Sequence, residues 1–170
     1  MPNVDIAVAT PSERITIDNL MQLYVHDFTE LWAGTGRAEL QPDGRYGDYP
    51  DLDRYWRDPD HIPLLIRSEG RLIGFAFLNK QSHSGGLLDW NVGEFFVVRK
   101  YRRGGYGTAA LAAILARWPG RWEAAVVRAN IAALTFWRSA LSANPGVTVI
   151  EEIDVADEEW DGPVMRFVVD

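Results

Sequence analysis

The sequence predicts a single α/β domain, a mixed sheet covered by helices. Three observations predict it. Strand-like and helix-like runs follow the order β-α-α-β-β-β-α-β-α-β-β along the chain. Consecutive strand runs stand beside two strand–helix units, a pattern that calls for a mixed sheet with helical layers. The 170 residues, 47% hydrophobic and 24% charged, suit one globular core. No repeat, low-complexity tract or linker divides residues 1–170.

The elements follow in order. Val4 to Thr10 reads as a first strand, and Thr10-Pro11 as a helix start with proline in the first turn. Ile15, Ile17, Leu20, Met21, Tyr24 and Phe28 recur near helical spacing, so a helix is expected over about 12–32. AGTGRAELQPDGRYGDYP is rich in Gly, Pro and Asp and reads as a long functional loop. Asp51 to Asp58 suits a short helix. HIPLLIRSEGRLIGFAFLNK is a hairpin around Ser68-Glu69-Gly70, and QSHSGGLLDWN a polar connection. Val92 to Val98 is aromatic and β-branched, hence a strand. Leu111, Ile114, Leu115 and Trp118 form one helical stripe, stopped by Pro119-Gly120. Arg121 to Val127 is a strand and Ile131 to Leu141 a helix. VTVIEEIDV and PVMRFVV close the chain as an antiparallel pair.

Charge narrows the function. The net charge is −7, yet Glu151 to Asp161 alone carries seven acids and no Lys or Arg. The remainder is neutral, and the acidic segment reads as a solvated loop. Overall charge disfavours nucleic-acid binding. No apolar run approaches the roughly 18 residues of a membrane span, and the N-terminal residues lack signal-peptide character. Cysteine is absent, which removes thiol nucleophiles and thiolate metal sites; no metal is expected. These features point to the cytoplasm.

RKYRRGGYGTAA, residues 99–110, places four basic residues and three glycines between a strand and a helix. The first N–H groups of a helix lack partners and carry partial positive charge, so such a turn suits phosphate oxygens. Glycines let the backbone approach the ligand. An ordinary solvated surface turn is the competing reading. No Gly-x4-Gly-Lys-Ser/Thr run exists. Gly105 to Ala110 fits G-x-G-x-x-A literally, with Glu123 near the expected offset. However, five residues separate the strand from the turn, Glu123 begins its strand, and a hairpin precedes the unit.

Arg102-Arg103-Gly104-Gly105-Tyr106-Gly107 meets R-x-x-G-x-G, preceded by Phe95-Phe96-Val97 and Tyr101-Arg102. With these flanks it resembles the acetyl-CoA signature of the GNAT superfamily of N-acetyltransferases. Asn130, Ala133 and Phe136 resemble a second family motif, and the element order is similar across nearly the whole chain. The resemblance implies a mostly antiparallel sheet of about seven strands and about four helices, splayed between strands 4 and 5. It implies acetyl-CoA as cofactor. Phe96, Val97 and Val98 would line its pantetheine arm, and the amides from Arg102, Arg103, Gly104, Gly105, Tyr106 and Gly107 to Thr108 would wrap its pyrophosphate. Asn130, with Ala133 and Phe136, would bound the arm from the other side, Asn130 also capping the helix.

One position departs from the family. Trp137 stands where many members carry a Tyr that protonates the leaving thiolate, and indole is only a weak donor. Trp137 then packs against the acyl end or fills the core, and water, Tyr101 or Tyr106 protonates the thiolate. Glu94, the only ionisable residue within Val92 to Val98, is the candidate general base. His26 and His61 are weaker alternatives. Without cysteine, direct attack by an amine in a ternary complex is expected. Aromatics and acids in the first helices and loop, notably Tyr24, Asp27, Tyr46 and Tyr49, suit a small cationic amine acceptor. A protein lysine or N-terminus, or a non-catalytic acyl-CoA sensor, remains a competing reading. The final hairpin offers a dimer surface.

Overall fold

A computed structural model describes all 170 residues. Seven strands form one sheet in the order β1-β2-β3-β4-β5-β7-β6. They are β1 (Asp5–Val8), β2 (Ile62–Ser68), β3 (Arg71–Asn79), β4 (Trp90–Val97), β5 (Gly120–Ala125), β6 (Val147–Ala156) and β7 (Asp161–Val169). The helices are α1 (Arg14–Thr29), α2 (Arg54–Arg57), α3 (Tyr106–Arg117) and α4 (Ile131–Ser142). All neighbours pair antiparallel except β4 and β5, which are parallel. No helix is long and apolar enough to cross a membrane.

Strand alternation divides the core between two faces. Leu64, Ile66, Ala76, Leu78, Trp122 and Phe167 pack under α3 and α4. Leu65, Phe75, Phe77 and Phe96 face the other way, against Ile17, Leu20 and Met21 of α1 and Tyr55 of α2. Thr10 starts the first helical segment, its N–H donating to the Glu13 carboxylate at 2.9 Å. Its first turn is a 3-10 segment over Pro11–Glu13, so α1 is shorter at both ends than periodicity alone predicts.

The acidic C-terminal segment is solvent-exposed, as expected, but most of it is not a loop. Most of it is strand β6, with Glu151 paired to Arg166, Glu152 to Arg138 and Asp154 to Arg128. Charge composition could not reveal these partners, because the arginines lie elsewhere in the sequence.

The decisive topological feature is the β4–β5 pair. It joins only Trp90–Trp122, Asn91–Glu123 and Val92–Ala124. Beyond Val92 the strands part. Just there β4 carries a bulge: Leu78 of β3 pairs with Val92 and Phe77 with Glu94, leaving Gly93 extra. A Cβ at Gly93 would lie 2.7 Å from Asn79 Nδ2 and 2.9 Å from Tyr55 Oη, so any other residue would have to displace these side-chain ends. The bulge puts Asn91 and Glu94 on the same face of β4, toward α1 and α2.

Candidate active site

Two structures meet at the open sheet. The first is the turn between β4 and α3. The N–H of Arg102 is already bonded to Arg99 O, and that of Ala109 to Gly105 O. Every amide from Arg103 to Thr108 lacks an intramolecular partner. Gly105 is the N-cap of α3, at φ +80 and ψ −2, a left-handed conformation that favours glycine. Arg103 is also left-handed, at φ +61. Consecutive unpaired amides curve around the start of a 12-residue helix, an amide cradle of the kind that suits anionic oxygens.

The amide cradle therefore starts at Arg103 rather than Arg102. The Arg102 side chain is committed inward: Nε donates to Val97 O at 2.7 Å, and the guanidinium pairs with Asp27. Arg99 pairs with the same carboxylate at 2.9 Å. Asp27 thus ties the basic turn to α1 and does not line the acceptor cavity expected of it.

The second structure is the open edge of β4. Val98 N–H donates to Ile73 O of β3 at 2.9 Å. By alternation the backbone groups of Phe96 also face β3, while those of Phe95 and Val97 face the gap left by β5. Of Phe96, Val97 and Val98, only Val97 presents its N–H there, and Phe95 joins it. The Phe96 side chain is in the α1-side core. Across the gap, Asn130 caps α4 by accepting from Ala133 N at 3.1 Å, leaving its amide NH2 free. Phe136 stacks on Phe95 at 5.6 Å, and Trp137 meets both rings edge-on. Trp137 is only 6% exposed, a core residue whose edge reaches the cavity wall. Tyr101 and Tyr106 pair edge-on at 5.2 Å and do not line that cavity.

The cavity itself, about 790 Å³, spans from the splay to the long loop. Glu94 lies on its floor. The carboxylate accepts a hydrogen bond from Tyr24 Oη. Removal from water pushes the Glu94 carboxyl up to about 7, against the Tyr24 hydrogen bond, which pulls it down. Burial first, then the Glu94 charge, holds the Tyr24 phenol well above its ordinary range, so it stays a donor. Tyr46 and Tyr49 line the same cavity. Gln22 of α1 pins the loop by bonding both the N–H and the carbonyl of Tyr46, at 2.8 and 3.3 Å. His26 bonds Tyr46 Oη at 2.8 Å but does not line the cavity, whereas His61 does.

Sequence reading missed the inner wall. Asn79, Asn91, His83 and Trp160 all line the cavity. Glu123, fully buried on β5, accepts from Ser82 Oγ at 2.9 Å and His83 N at 2.9 Å, and from Ser84 Oγ. It fastens the polar connection to the sheet. An acid between Trp122 and Ala124 of this strand was the available signal.

Parallel strands that part beside a run of unpaired amides form the architecture of an acyltransferase. The chain belongs to the acetyltransferase (GNAT) family, whose sequence model matches residues 17–141. No curated protein matches it. Among solved structures, an acetyltransferase from Thermus thermophilus is similar at 17% identity and TM-score 0.63, over 98% of this chain and 96% of its own. The ribosomal-protein-S18-alanine N-acetyltransferase from Escherichia coli is similar at 13% identity and TM-score 0.56, over 98% and 93%. A spermidine/spermine N-acetyltransferase from Vibrio cholerae is similar at 10% identity and TM-score 0.54, over 98% and 91%. At these identities the likeness is one of fold.

Proposed function

We propose that the protein transfers an acetyl group from acetyl-CoA to a primary amine, by direct attack, with Glu94 as general base. The observation that carries this reading is the position of Glu94. Its carboxylate stands on the cavity floor two register steps beyond Asn91, beside the point where β4 and β5 part.

The residues present suit acetyl-CoA. The unpaired amides of Arg103 to Thr108 match phosphate oxygens, and the open N–H groups of Phe95 and Val97 match an extended amide-bearing arm. When bound, the cofactor supplies an acetyl group activated as a thioester. Glu94 Oε accepts a proton from the acceptor's ammonium, making the nitrogen nucleophilic. Tyr24 Oη donates to Glu94 and fixes its orientation. The Phe95 N–H, unpaired at the open edge, donates to developing negative charge. The stacked Phe95–Phe136 pair and Trp137 exclude water from the gap.

Asp48, Asp51, Glu39 and Glu94 outnumber Arg37 and Arg54 in the cavity lining, and with Tyr46, Tyr49 and Trp32 they favour a small cationic amine. The spermidine and ribosomal-protein acetylation of the fold neighbours spans small-molecule and protein amines, and the aromatic lining here favours the former. Thiol release from acetyl-CoA over a panel of primary amines tests the proposal. Turnover with a small amine is expected, and coenzyme A binding with no turnover on any amine, small or peptidic, would refute it.

A further inference from the structure

The inner end of the cavity holds polar atoms that nothing in the protein satisfies. Asn91 is 0% exposed, yet its Oδ1 has no hydrogen-bond partner. The Nε1 of Trp160 and the Nδ1 of His83 are likewise buried and unpartnered, and all three residues line the cavity. Leaving a buried polar group unpaired is costly, so a cluster of them marks a place built for a partner.

Their placement is shared. Asn91 pairs in register with Glu123, and both side chains leave the same sheet face. The Glu123 carboxylate accepts the His83 N–H at 2.9 Å, holding His83 over that pair. The His83 ring meets the Trp160 ring edge-on at 4.7 Å. Trp160 is carried in by the β6–β7 turn, where Asp157 Oδ1 accepts the N–H groups of Glu159 and Trp160 at 2.9 and 2.8 Å.

The orientation of the Asn91 amide is fixed by a chain of bonds. Asn79 Oδ1 accepts from Gln81 N–H at 2.9 Å, and a backbone amide can only donate. Asn79 Oδ1 also meets Asn91 at 2.9 Å, so Asn91 must present its NH2 there. The free atom of Asn91 is therefore an acceptor. The indole N–H of Trp160 is a donor. Burial holds the His83 imidazole below its ordinary range, outweighing the acids Glu123 and Glu159, which favours the neutral ring, whose Nδ1 donates or accepts according to tautomer.

We propose that this end is a hydrogen-bonding subsite, built from Asn91, His83 and Trp160, for an uncharged donor–acceptor group on the acceptor's own chain, such as a carboxamide. The inference rests on reading the cavity as the acceptor site. A second ammonium would face the Trp160 N–H, and a carboxylate would face Asn91 Oδ1 with Glu123 behind it. An amide offers an N–H to Asn91 and an oxygen to Trp160. Asn91 and Glu94 lie two register steps apart on one face, about 7 Å, which matches an amine and an amide joined by four methylenes.

Calorimetric titration in the presence of coenzyme A tests this without turnover, using delta-aminovaleramide, pentylamine and cadaverine as length-matched probes. The amino-amide is expected to bind at least about tenfold tighter than either other amine, the yield of one to two hydrogen bonds. In Trp160→Phe, which keeps the ring and removes the N–H, the ratio of amide to alkylamine affinity should fall toward one. Asn91→Leu should do the same. Equal binding of the three probes, preference for cadaverine, or a ratio unmoved by both variants would overturn the proposal. Thiol release with the same amines reports separately on acetyl transfer.

Discussion

Replacing Glu94 with Gln removes one proton-accepting group and keeps the side chain's shape. The carboxyl sits at about 7 rather than its ordinary 4.5. A general base contributes on the order of a hundredfold to ten-thousandfold, so kcat/KM in Glu94→Gln should fall by that factor at about pH 8. Below about 7 the wild-type base is protonated and its advantage shrinks about tenfold per pH unit. The wild-type to variant ratio of kcat/KM cancels the acceptor's own ionisation, so it should titrate near 7. The same shift predicts a gain in stability. A carboxyl whose affinity for protons is raised by folding stabilises the fold below its unfolded value near 4.5 and loses that contribution as pH rises through about 7. At about 1.4 kcal/mol per pH unit, ionising Glu94 inside the fold costs at most about 3 kcal/mol, less where cavity water screens it. At about 2–4 °C per kcal/mol, Glu94→Gln should melt up to about 10 °C above the wild type at about pH 8. The two should melt together near about pH 4. Rate profiles against pH and thermal unfolding across the same range are the assays. A kcat/KM ratio that stays flat with pH would refute Glu94 as base, and a Tm difference that stays flat would refute its desolvation.

Two further outcomes test the neighbouring parts. Gly105→Val forces a β-branched residue into φ +80, which costs roughly 1–2 kcal/mol and misaligns the cradle amides; the protein should fold but lose the rise in Tm that coenzyme A gives the wild type, and a retained rise would show that the turn does not hold the cofactor. Tyr24→Phe removes the hydrogen bond that lowers the Glu94 pKa, so the rising limb of the rate profile should move above about 7; an unmoved or downward limb would count against the pairing.

Much of this protein is legible along the chain. Strand and helix identities follow from local periodicity and turn residues, and the glycine turn follows from its spacing. These depend on neighbours within a few positions, so the sequence carries them directly. Glu94 stood out because a lone ionisable residue inside an apolar strand is visible in one dimension. The tertiary structure decided what depends on distant pairing. The Gly93 bulge exists only relative to Phe77 and Leu78, and it sets which face Glu94 occupies. Asp27 looked like an acceptor contact, and only folding brings it to Arg99 and Arg102, 72 and 75 residues away. Trp160 looked like part of a solvated acidic stretch until the β6–β7 turn carried it into the cavity wall. Sequence fixes what each residue can donate or accept; the sheet decides which of those capacities are satisfied within the protein and which are left facing the cavity.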